Sequence, residues 1–413
     1  ILVSLGMGLQ RNATEQLWGI GDLTQIQVMP DYSIGMAVEG GMMRYLAHAV
    51  VPSRGWHRGQ IADQMAVAAS VREAISEAED RCGAEIGAVV VGVGGPAVRA
   101  QQGRGLYDFG HRRPIGKEDL SYAVRQSTRA HLDADRYLLQ VAPQDFTVDG
   151  QPPMLHPLNI ECQRLEAHSL LITTSLQEHQ ALISAVHQAH LRVEETVFEA
   201  MAAAYASILP DERTGGVALV DIGAHSTDVV YYDGDSMLYS IGMPVSGDHF
   251  TKDIADVKSL SFDEADRMKM AHGCALLGLT ADNIIIELPA EAGRPAREIS
   301  RRDLIEILEA RAMQLFQLVE RFRLLYARDL PLREGIVLSG GASQLEGMVE
   351  VAEKVLGCPA RLGFPRGIAD WPDELSVVWT TAAGLAMYSA RLQNRKDKPG
   401  AGPNFWSLFS SRA

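Results

Sequence analysis

Two glycine-containing turns carry the residues in this chain that are best suited to chemistry. In the first, the apolar residues 217–220 lead into Asp221, Ile222 and Gly223, and a second β-rich run follows at 229–232. This pattern predicts a β-hairpin whose tip also holds the hydroxyls of Ser226 and Thr227. Glycine lets backbone N–H groups approach an oxyanion, hydroxyls donate hydrogen bonds, and a carboxylate holds a metal-bound water. The tip therefore suits phosphate, although an ordinary hairpin explains this segment better when it is taken alone.

The second turn lies further along the chain, where residues 335–339 predict a strand that runs into Gly340 and Gly341. A helical pattern follows, so the N–H groups of a helix N-terminus and two bare glycines can face a nucleotide. Ser343 is close enough in sequence to hydrogen-bond there. The alternative is a simple packing turn between a strand and a helix.

In this order, the two turns resemble the phosphate-2 and adenosine motifs of the superfamily of actin, Hsp70 and sugar kinases. Within it, the chain resembles the FtsA family of bacterial actin-like cell division proteins over roughly residues 45–392. Further similar segments are Pro52-Ser-Arg-Gly55, Gly59-Gln-Ile-Ala-Asp63, Val148-Asp-Gly150, His156-Pro-Leu158, Arg164-Leu-Glu-Ala167 and Asp211-Glu-Arg213. The resemblance implies an α/β fold of the actin-like, duplicated ribonuclease H-like type, with two lobes and an FtsA-type 1C subdomain insertion.

The resemblance also implies a division of the chain into subdomains. We expect subdomain 1A in residues 1–86, 166–214 and 374–394, subdomain 1C in 87–165, subdomain 2A in 215–254 and 332–373, subdomain 2B in 255–331, a flexible linker in 395–403 and an amphipathic tail in 404–413. Apolar periodicity predicts helices over 64–81, 117–130, 177–190, 195–208, 301–326, 349–356 and 380–392, and in part over 251–272. Strands are predicted at 86–93, 137–141 and 170–175, and a hairpin over 39–51 with Gly40 and Gly41 at its turn.

Composition excludes several classes of protein. The 413 residues are enough for two or three domains, and a formal net charge of −14 without a long basic run argues against nucleic acid as the principal partner. Four scattered cysteines show neither metal-ligand spacing nor a disulfide framework, which indicates reduced thiols in a cytoplasmic protein. No segment approaches the ~20 apolar residues that span a bilayer, and no signal peptide is visible. Because the first residue is Ile1 rather than Met, we expect an incomplete amino terminus.

The resemblance implies ATP as the cofactor, with Asp221 as the residue that holds Mg²⁺. Asp266 and Lys269 match a family segment, Ala-Glu-x-x-Lys, that approaches the ribose, although Asp266 is one methylene shorter; a solvated helix face is the alternative. At the phosphate-2 tip, Ala224 and His225 stand where the family has glycines. Their side chains crowd the approach to phosphate and resist positive φ, unless His225 itself contacts phosphate.

The phosphate-1 motif departs further from the family. Gly8 matches, whereas Arg11 replaces a lysine, Leu9 replaces a threonine, and Gly6 replaces the acid that organises Mg²⁺. Phosphoryl transfer needs a positioned Mg²⁺ and a water-orienting acid. We therefore expect weak ATP binding and slow or absent hydrolysis, which describes a pseudo-ATPase scaffold without catalytic residues rather than an enzyme.

The last residues of the chain resemble a membrane-targeting tail. Phe405, Leu408, Phe409 and Arg412 lie at i, i+3, i+4 and i+7, which predicts an amphipathic helix. The first three form its apolar stripe, Trp406 flanks them, and Arg412 adds a positive charge on the same side. Aromatic side chains suit the headgroup boundary of a lipid bilayer. The alternative is a frayed tail. The prediction is peripheral attachment to the cytoplasmic face of the bacterial inner membrane at the division site.

The resemblance implies several partners and a scaffolding function. In the family, subdomain 2B binds the C-terminal peptide of FtsZ. Here the candidate is helix 301–326, in which Glu306 and Arg311 lie within the family's interaction segment. Several arginines in this helix suit an acidic peptide. Subdomain 1C would mediate self-association into filaments and contacts with later divisome proteins. The chain would tether FtsZ filaments to the membrane, assemble the Z ring and recruit the divisome. The alternatives are an active ATPase or small-molecule kinase, and a pilus-assembly scaffold similar to PilM.

Overall fold

The computed structural model describes residues 3–5, 20–26, 33–39, 42–57, 60–129, 132–234, 236–281, 283–288, 296–328 and 330–396. Gly8, Arg11, the Gly40–Gly41 turn and the tail at 404–413 lie outside these residues. Over the described part of the chain, no helix combines the length and the apolar character required to cross a membrane.

The strands in chain order are β1 (Val3–Leu5), β2 (Ile20–Ile26), β3 (Ser33–Glu39), β4 (Met42–Ala49), β5 (Trp56–His57), β6 (Gln60–Ile61), β7 (Ala88–Val93), β8 (Arg99–Pro114), β9 (Arg136–Val148), β10 (Glu161–Ser175), β11 (Arg192–Phe198), β12 (Val217–Ile222), β13 (Thr227–Asp233), β14 (Ser236–Met243), β15 (Ile285–Leu288), β16 (Arg297–Ser300), β17 (Gly335–Ser339), β18 (Ala360–Leu362) and β19 (Ile368–Ala369). The helices are α1 (Gln64–Cys82), α2 (Lys117–Arg129), α3 (Leu176–Gln188), α4 (Glu199–Ser207), α5 (Pro210–Gly215), α6 (Gly247–Lys258), α7 (Phe262–His272), α8 (Arg301–Tyr326), α9 (Met348–Leu356) and α10 (Thr380–Lys396).

A five-stranded sheet, which we call the lobe 2 sheet, carries both predicted glycine turns. Its strand order is β14-β13-β12-β17-β18, with β12 antiparallel to β13 and parallel to β17. Residues 217–220 are buried on both faces of the sheet, which is why they read as a continuous apolar run. The predicted hairpin and the predicted strand before Gly340 are confirmed. Because β12 and β17 are parallel neighbours, the turns that follow them emerge at the same edge.

The lobe 1 sheet has the order β1-β7-β11, and helices α1, α3, α4 and α10 belong to the same lobe. The predicted helix at 195–208 is wrong over its first residues. These residues belong to β11, which pairs in parallel with β7 and places Thr196 beside Val91, and α4 begins only at Glu199. Thr196 and Val197 are β-branched and buried, so pairing with β7 prevails over helical periodicity.

The other predicted elements are present, some with shifted ends. The segment 251–272 consists of α6 and α7, and the strands predicted at 137–141 and 170–175 extend to the full lengths of β9 and β10. The predicted hairpin at 39–51 is the antiparallel pair β3–β4, in which Glu39 lies opposite Met42 and the first strand already begins at Ser33.

A separate three-stranded sheet of order β8-β10-β9, covered on one face by α2, lies between β7 and β11 in the chain. Gly105 permits close packing of α2, because a Cβ at this position would overlap the carbonyl oxygen of Ala123. Asp149 closes the β9–β10 connection by accepting hydrogen bonds from the N–H groups of Gln163 and Arg164. These bonds give Asp149 a structural role at this turn.

The Asp211-Glu-Arg213 segment forms the middle of the short helix α5 immediately before β12. Glu212 accepts the N–H of Leu209 at the start of this helix and also receives two hydrogen bonds, of 2.8 and 2.6 Å, from the guanidinium of Arg361. Arg361 donates in addition to the Ser207 carbonyl. Paired guanidinium–carboxylate bonds of this kind are strong and directional. They fix α5, which leads into β12, against β18.

Candidate functional site

The two glycine turns meet at one edge of the lobe 2 sheet. Gly340 has φ +82°, and a Cβ there would stand 2.5 Å from the carbonyl oxygen of Ile222 and 2.6 Å from Oδ1 of Asp221. The start of α6 also contacts the hairpin tip, since the N–H of Gly247 donates to the carbonyl of Gly223 over 2.9 Å. The tip of the hairpin, the turn after β17 and the N-terminus of α6 therefore form one continuous surface.

Asp221 lies at the centre of this surface. Its Oδ2 accepts a 2.8 Å hydrogen bond from the hydroxyl of Thr381, which is on α10. Burial raises the pKa of Asp221 to about 6, and the bond from Thr381 partly offsets that effect. In the described part of the chain, no group of three His, Cys, Asp or Glu side chains can hold a metal ion. Sites that bind Mg²⁺ through one or two carboxylates take the remaining ligands from water and from the phosphates of the substrate, which is the arrangement that Asp221 fits.

Two further acids face this region, and neither was singled out from the sequence. Asp228 is 5% exposed, accepts the N–H of Gly95 over 3.0 Å, and has its pKa raised to about 7 by burial and by the charge of Asp221. Glu199, the first residue of α4, has its pKa raised to about 8 by burial, with Asp228 and Asp221 adding to the shift. A Cβ at Gly94 would overlap Glu199 Oε2 and stand 3.1 Å from Asp228 Oδ2. Glu199, Asp221 and Asp228, which we call the carboxyl group cluster, therefore lie where lobe 1 meets lobe 2.

The hairpin register held a signal for one of these acids. Asp221 lies directly opposite Asp228 in the β12–β13 ladder, and residues directly opposite in an antiparallel pair have side chains on the same face. Counting back across the predicted tip would have placed the two carboxyls together. Glu199 gave no such signal, because the expected helix at 195–208 put it inside a regular helix.

We expect Glu199→Gln to remove part of the pH dependence of stability. A carboxyl with a raised folded-state pKa holds a proton that the unfolded chain releases, so its ionisation costs stability as the pH rises from about 4 towards the folded pKa. Glutamine does not ionise. Relative to the unaltered chain, the variant should gain about 1–2 kcal/mol of unfolding free energy between pH 6 and pH 8. Urea unfolding at pH 6, 7 and 8 measures this, with the exposed Glu85→Gln as control. Parallel pH curves for all three proteins would contradict the prediction.

The other residues predicted at the hairpin tip have different environments. Thr227 is fully buried and donates its hydroxyl to the carbonyl of Val245, so it holds the loop before α6. Ser226 is partly buried, and its hydroxyl faces Gly95, where a Cβ would stand 3.6 Å away. His225 is more exposed, and its Nδ1 lies 2.7 Å from Oδ2 of Asp248. Of the two predicted hydroxyls, that of Thr227 is therefore used within the fold, whereas Ser226 stays partly exposed.

The turn after β17 divides its roles between neighbouring residues. Ser343 is buried and donates its hydroxyl to the carbonyl of Gly340 over 2.6 Å, so it stabilises the turn itself. Gly341 is exposed, and the atom nearest to a Cβ there would be 4.0 Å away, in Val378. Gly340 is thus required by close contact with β12, whereas Gly341 provides open backbone.

Asp266 and Lys269 lie together on α7 against α6. Lys269 Nζ lies 2.7 Å from Asp266 Oδ1 and donates to the hydroxyl of Thr251, which in turn donates to Asp266. Thr251 is one helical turn beyond Gly247, whose carbonyl oxygen lies 3.5 Å from the same hydroxyl. This network places the predicted ribose-side pair next to the start of α6 and hence next to the two turns.

The predicted partner residues lie elsewhere, on α8. Arg311 makes two hydrogen bonds of 2.5 and 2.6 Å to Asp253 of α6, and Glu306 pairs with Arg302. An open groove of about 550 Å³ runs between the two helices. It is lined by Asp253, Asp256, Val257, Lys258, Asp303, Glu306, Ile307 and Ala310. The positive charge expected on α8 is thus largely offset by acids within the fold.

Two family models match the chain. One, described as the cell division protein FtsA, matches residues 218–384, and the other, described as the SHS2 domain inserted in FtsA, matches residues 95–173. The chain is 31% identical to FtsA of Pseudomonas aeruginosa over 363 residues, with 87% of each chain covered. It is 29% identical to FtsA of Escherichia coli over 365 residues, with 86% of each chain covered.

Solved structures provide a likeness of fold. A chain of the PilM–PilN type IV pilus biogenesis complex is 18% identical with a TM-score of 0.63, covering 90% of this chain and 98% of that one. The ethanolamine utilization protein EutJ from Carboxydothermus hydrogenoformans is 14% identical with a TM-score of 0.50, covering 93% and 92%. Together with the family models, these likenesses confirm the predicted α/β actin-like fold with an inserted 1C subdomain.

Proposed function

Because the chain belongs to the FtsA family of cell division proteins, as its sequence indicated, we propose that it tethers FtsZ filaments to the cytoplasmic face of the inner membrane and recruits the divisome. The observation that carries this proposal is the three-stranded sheet of residues 99–175, inserted between two strands of an actin-like lobe. The subdomain boundaries expected from the sequence remain part of the proposal.

We further propose that ATP binds at the meeting point of the two turns and acts as a conformational ligand. Asp221 would hold Mg²⁺ through water, Ser226 would contact phosphate, and Gly341 would lie against adenine. The network of Asp266 and Lys269 would approach the ribose. What supports this assignment is the direct contact between Gly340 and the end of β12. Gly8 would complete the phosphate side.

Weak binding is supported by the packing at the tip. The N–H groups of Gly247 and Asp248 donate to the carbonyls of Gly223 and Ala224, and the N–H of Gly223 donates to the carbonyl of Ser226, so these three donors are already engaged within the fold. On this basis the protein is a scaffold with slow or absent hydrolysis. The carboxyl group cluster favours the alternative, a working ATPase. Asp228 and Glu199 would supply acids that the altered phosphate-1 motif lacks. Mg²⁺-dependent turnover that Asp221→Ala abolishes would establish the alternative.

The membrane and partner surfaces complete the proposal. The tail residues Phe405, Trp406, Leu408, Phe409 and Arg412 would insert at the headgroup boundary, and self-association would supply the avidity that one short helix lacks. The surface of α8 around Glu306 and Arg311, outside the acidic groove between α6 and α8, would receive the FtsZ peptide. Subdomain 1C would contact neighbouring copies and later division proteins.

Vesicle co-sedimentation with purified FtsZ, with and without ATP, tests this function. We expect the full chain to carry FtsZ down with anionic vesicles, and deletion of residues 404–413 to leave most of both proteins in the supernatant. Phe409→Asp should act in the same direction, whereas Ser410→Ala, on the polar side of the predicted helix, should sediment normally. Sedimentation of the truncated chain equal to that of the full chain would refute the membrane assignment.

A further inference from the structure

Two neighbouring threonines open α10, and their hydroxyls have different acceptors. Thr380 is fully buried and donates over 2.5 Å to the carbonyl of Gly363, in the segment that follows β18. Thr381 is 1% exposed and donates over 2.8 Å to Oδ2 of Asp221, near the end of β12. The first hydroxyl therefore fastens the helix to backbone, whereas the second contacts the carboxylate that we assign to Mg²⁺.

The carboxyl group of an aspartate turns easily, because its χ2 torsion joins an sp³ to an sp² carbon and is broad. The angle of the carboxylate plane decides where the lone pairs of its oxygens point. In Asp221, Oδ2 accepts the Thr381 hydroxyl, and Oδ1 would stand 2.6 Å from a Cβ placed on Gly340. Each oxygen thus has a close neighbour, and the plane has one orientation. Asp221 is still partly exposed, so lone pairs remain available to a ligand.

The donor is itself held firmly. Threonine is branched at Cβ, which restricts its χ1 to few rotamers. Three residues further along α10, a Cβ at Gly384 would overlap the backbone carbonyl of Ala202 on α4, so the two helices lie in close contact. The position of the Thr381 hydroxyl is therefore set by the packing of lobe 1. Such precision matters for Mg²⁺, because this ion requires near-ideal octahedral geometry and usually keeps several of its waters.

We propose that Thr381 is a positioning residue that aims the Asp221 carboxylate at the water shell of Mg²⁺, so that the metal strengthens nucleotide binding. Thr381 acts on the metal through Asp221. The inference rests on the proposed nucleotide site and names the residue that orients its metal ligand. Because α10 belongs to lobe 1 and β12 to lobe 2, the alignment requires both lobes in this arrangement.

Equilibrium titrations of the full chain with ATP, in Mg²⁺ and in EDTA, and with adenosine test the proposal. We expect the unaltered chain to bind ATP more tightly in Mg²⁺, and Asp221→Ala to lose that gain. Thr381→Val has nearly the shape of threonine but no hydroxyl. It should weaken ATP in Mg²⁺ by about five- to tenfold, and change ATP in EDTA and adenosine by less than about twofold, since only the bond to the carboxylate is lost. Thr381→Ala should show the same pattern, and Thr381→Ser, which keeps the hydroxyl, should bind ATP within about twofold of the unaltered chain.

Thr380→Val is the matched control, because it removes a buried hydroxyl one residue away that bonds a carbonyl instead of Asp221. It should lower the urea midpoint and leave ATP affinity in Mg²⁺ within about twofold. An equal loss of ATP affinity in Thr380→Val and Thr381→Val would overturn the proposal, since any weakening of α10 would then be sufficient.

The remaining outcomes separate this inference from the one beneath it. Full ATP affinity of Thr381→Val in Mg²⁺, or an equal loss for ATP and adenosine, would overturn the role of Thr381 and leave the nucleotide site standing. A loss in Thr381→Ser as large as that in Thr381→Ala would do the same. An unaltered chain that binds neither ATP nor adenosine would overturn both inferences.

Discussion

Gly340→Ala is expected to lower the free energy of unfolding by about 3 kcal/mol and to weaken ATP binding at least tenfold. Gly340 combines φ +82° with ψ 165°, a conformation that is essentially restricted to glycine and costs other residues about 1–3 kcal/mol. The new Cβ would also stand 2.5 Å from the Ile222 carbonyl oxygen, so one strand end must move away from the other. Overpacking of this kind costs about 1–3 kcal/mol. Urea unfolding and ATP titration measure the two effects.

Gly341→Ala is the matched control for stability. Its added Cβ would meet no atom closer than 4.0 Å, and its backbone has an ordinary φ. We expect its unfolding free energy to stay within about 0.5 kcal/mol of the unaltered chain. Equal destabilisation by the two substitutions would show that the contact between Gly340 and β12 does not set the geometry of the turn.

Gly384→Ala should destabilise the chain by about 3 kcal/mol or more through the packing of two helices. Gly384 is on α10, and a Cβ there would overlap the backbone carbonyl of Ala202 on α4. A backbone carbonyl cannot rotate away as a side chain can, so the helices must separate. Separation would also displace Thr381, which holds Asp221 from the same helix. We therefore expect weaker ATP binding together with the lower denaturation midpoint.

Ser389→Ala, in the same helix, is the control for this prediction. Ser389 is fully buried, and its hydroxyl has no hydrogen-bond partner among the described residues. Removing an unsatisfied buried hydroxyl should leave stability unchanged or raise it by about 1 kcal/mol. A large loss of stability in Ser389→Ala would indicate that any change in α10 is harmful, and Gly384 would then have no special position.

Local pattern was sufficient for most of the fold. The buried run at 217–220, the amphipathic helix α8 and the hairpin around Asp221 were all predicted with their types correct, because each depends on residues that are neighbours in the chain. The start of α4 was predicted wrongly. Residues 195–198 fit a helical period as well as a strand, and only their pairing with β7, which is distant in sequence, decides for the strand.

The candidate site divides in the same way. Asp221, Gly340 and Gly341 were identified because glycine turns next to apolar strands leave a local signature in sequence. Glu199 and Asp228 were not identified in this way, and neither was the contact between His225 and Asp248. Their meaning depends on contacts between segments that are far apart in the chain.

By itself, then, the order of residues determined the family, the fold class, the two turns and the amphipathic character of the tail, since these follow from backbone preferences, periodicity and motif order. The tertiary structure alone decided which carboxyls converge, which arginines of α8 are already paired with acids, and which glycine is held by steric contact. Charge and close packing act through space over a few ångströms, and only the folded chain brings their distant contributors within that range.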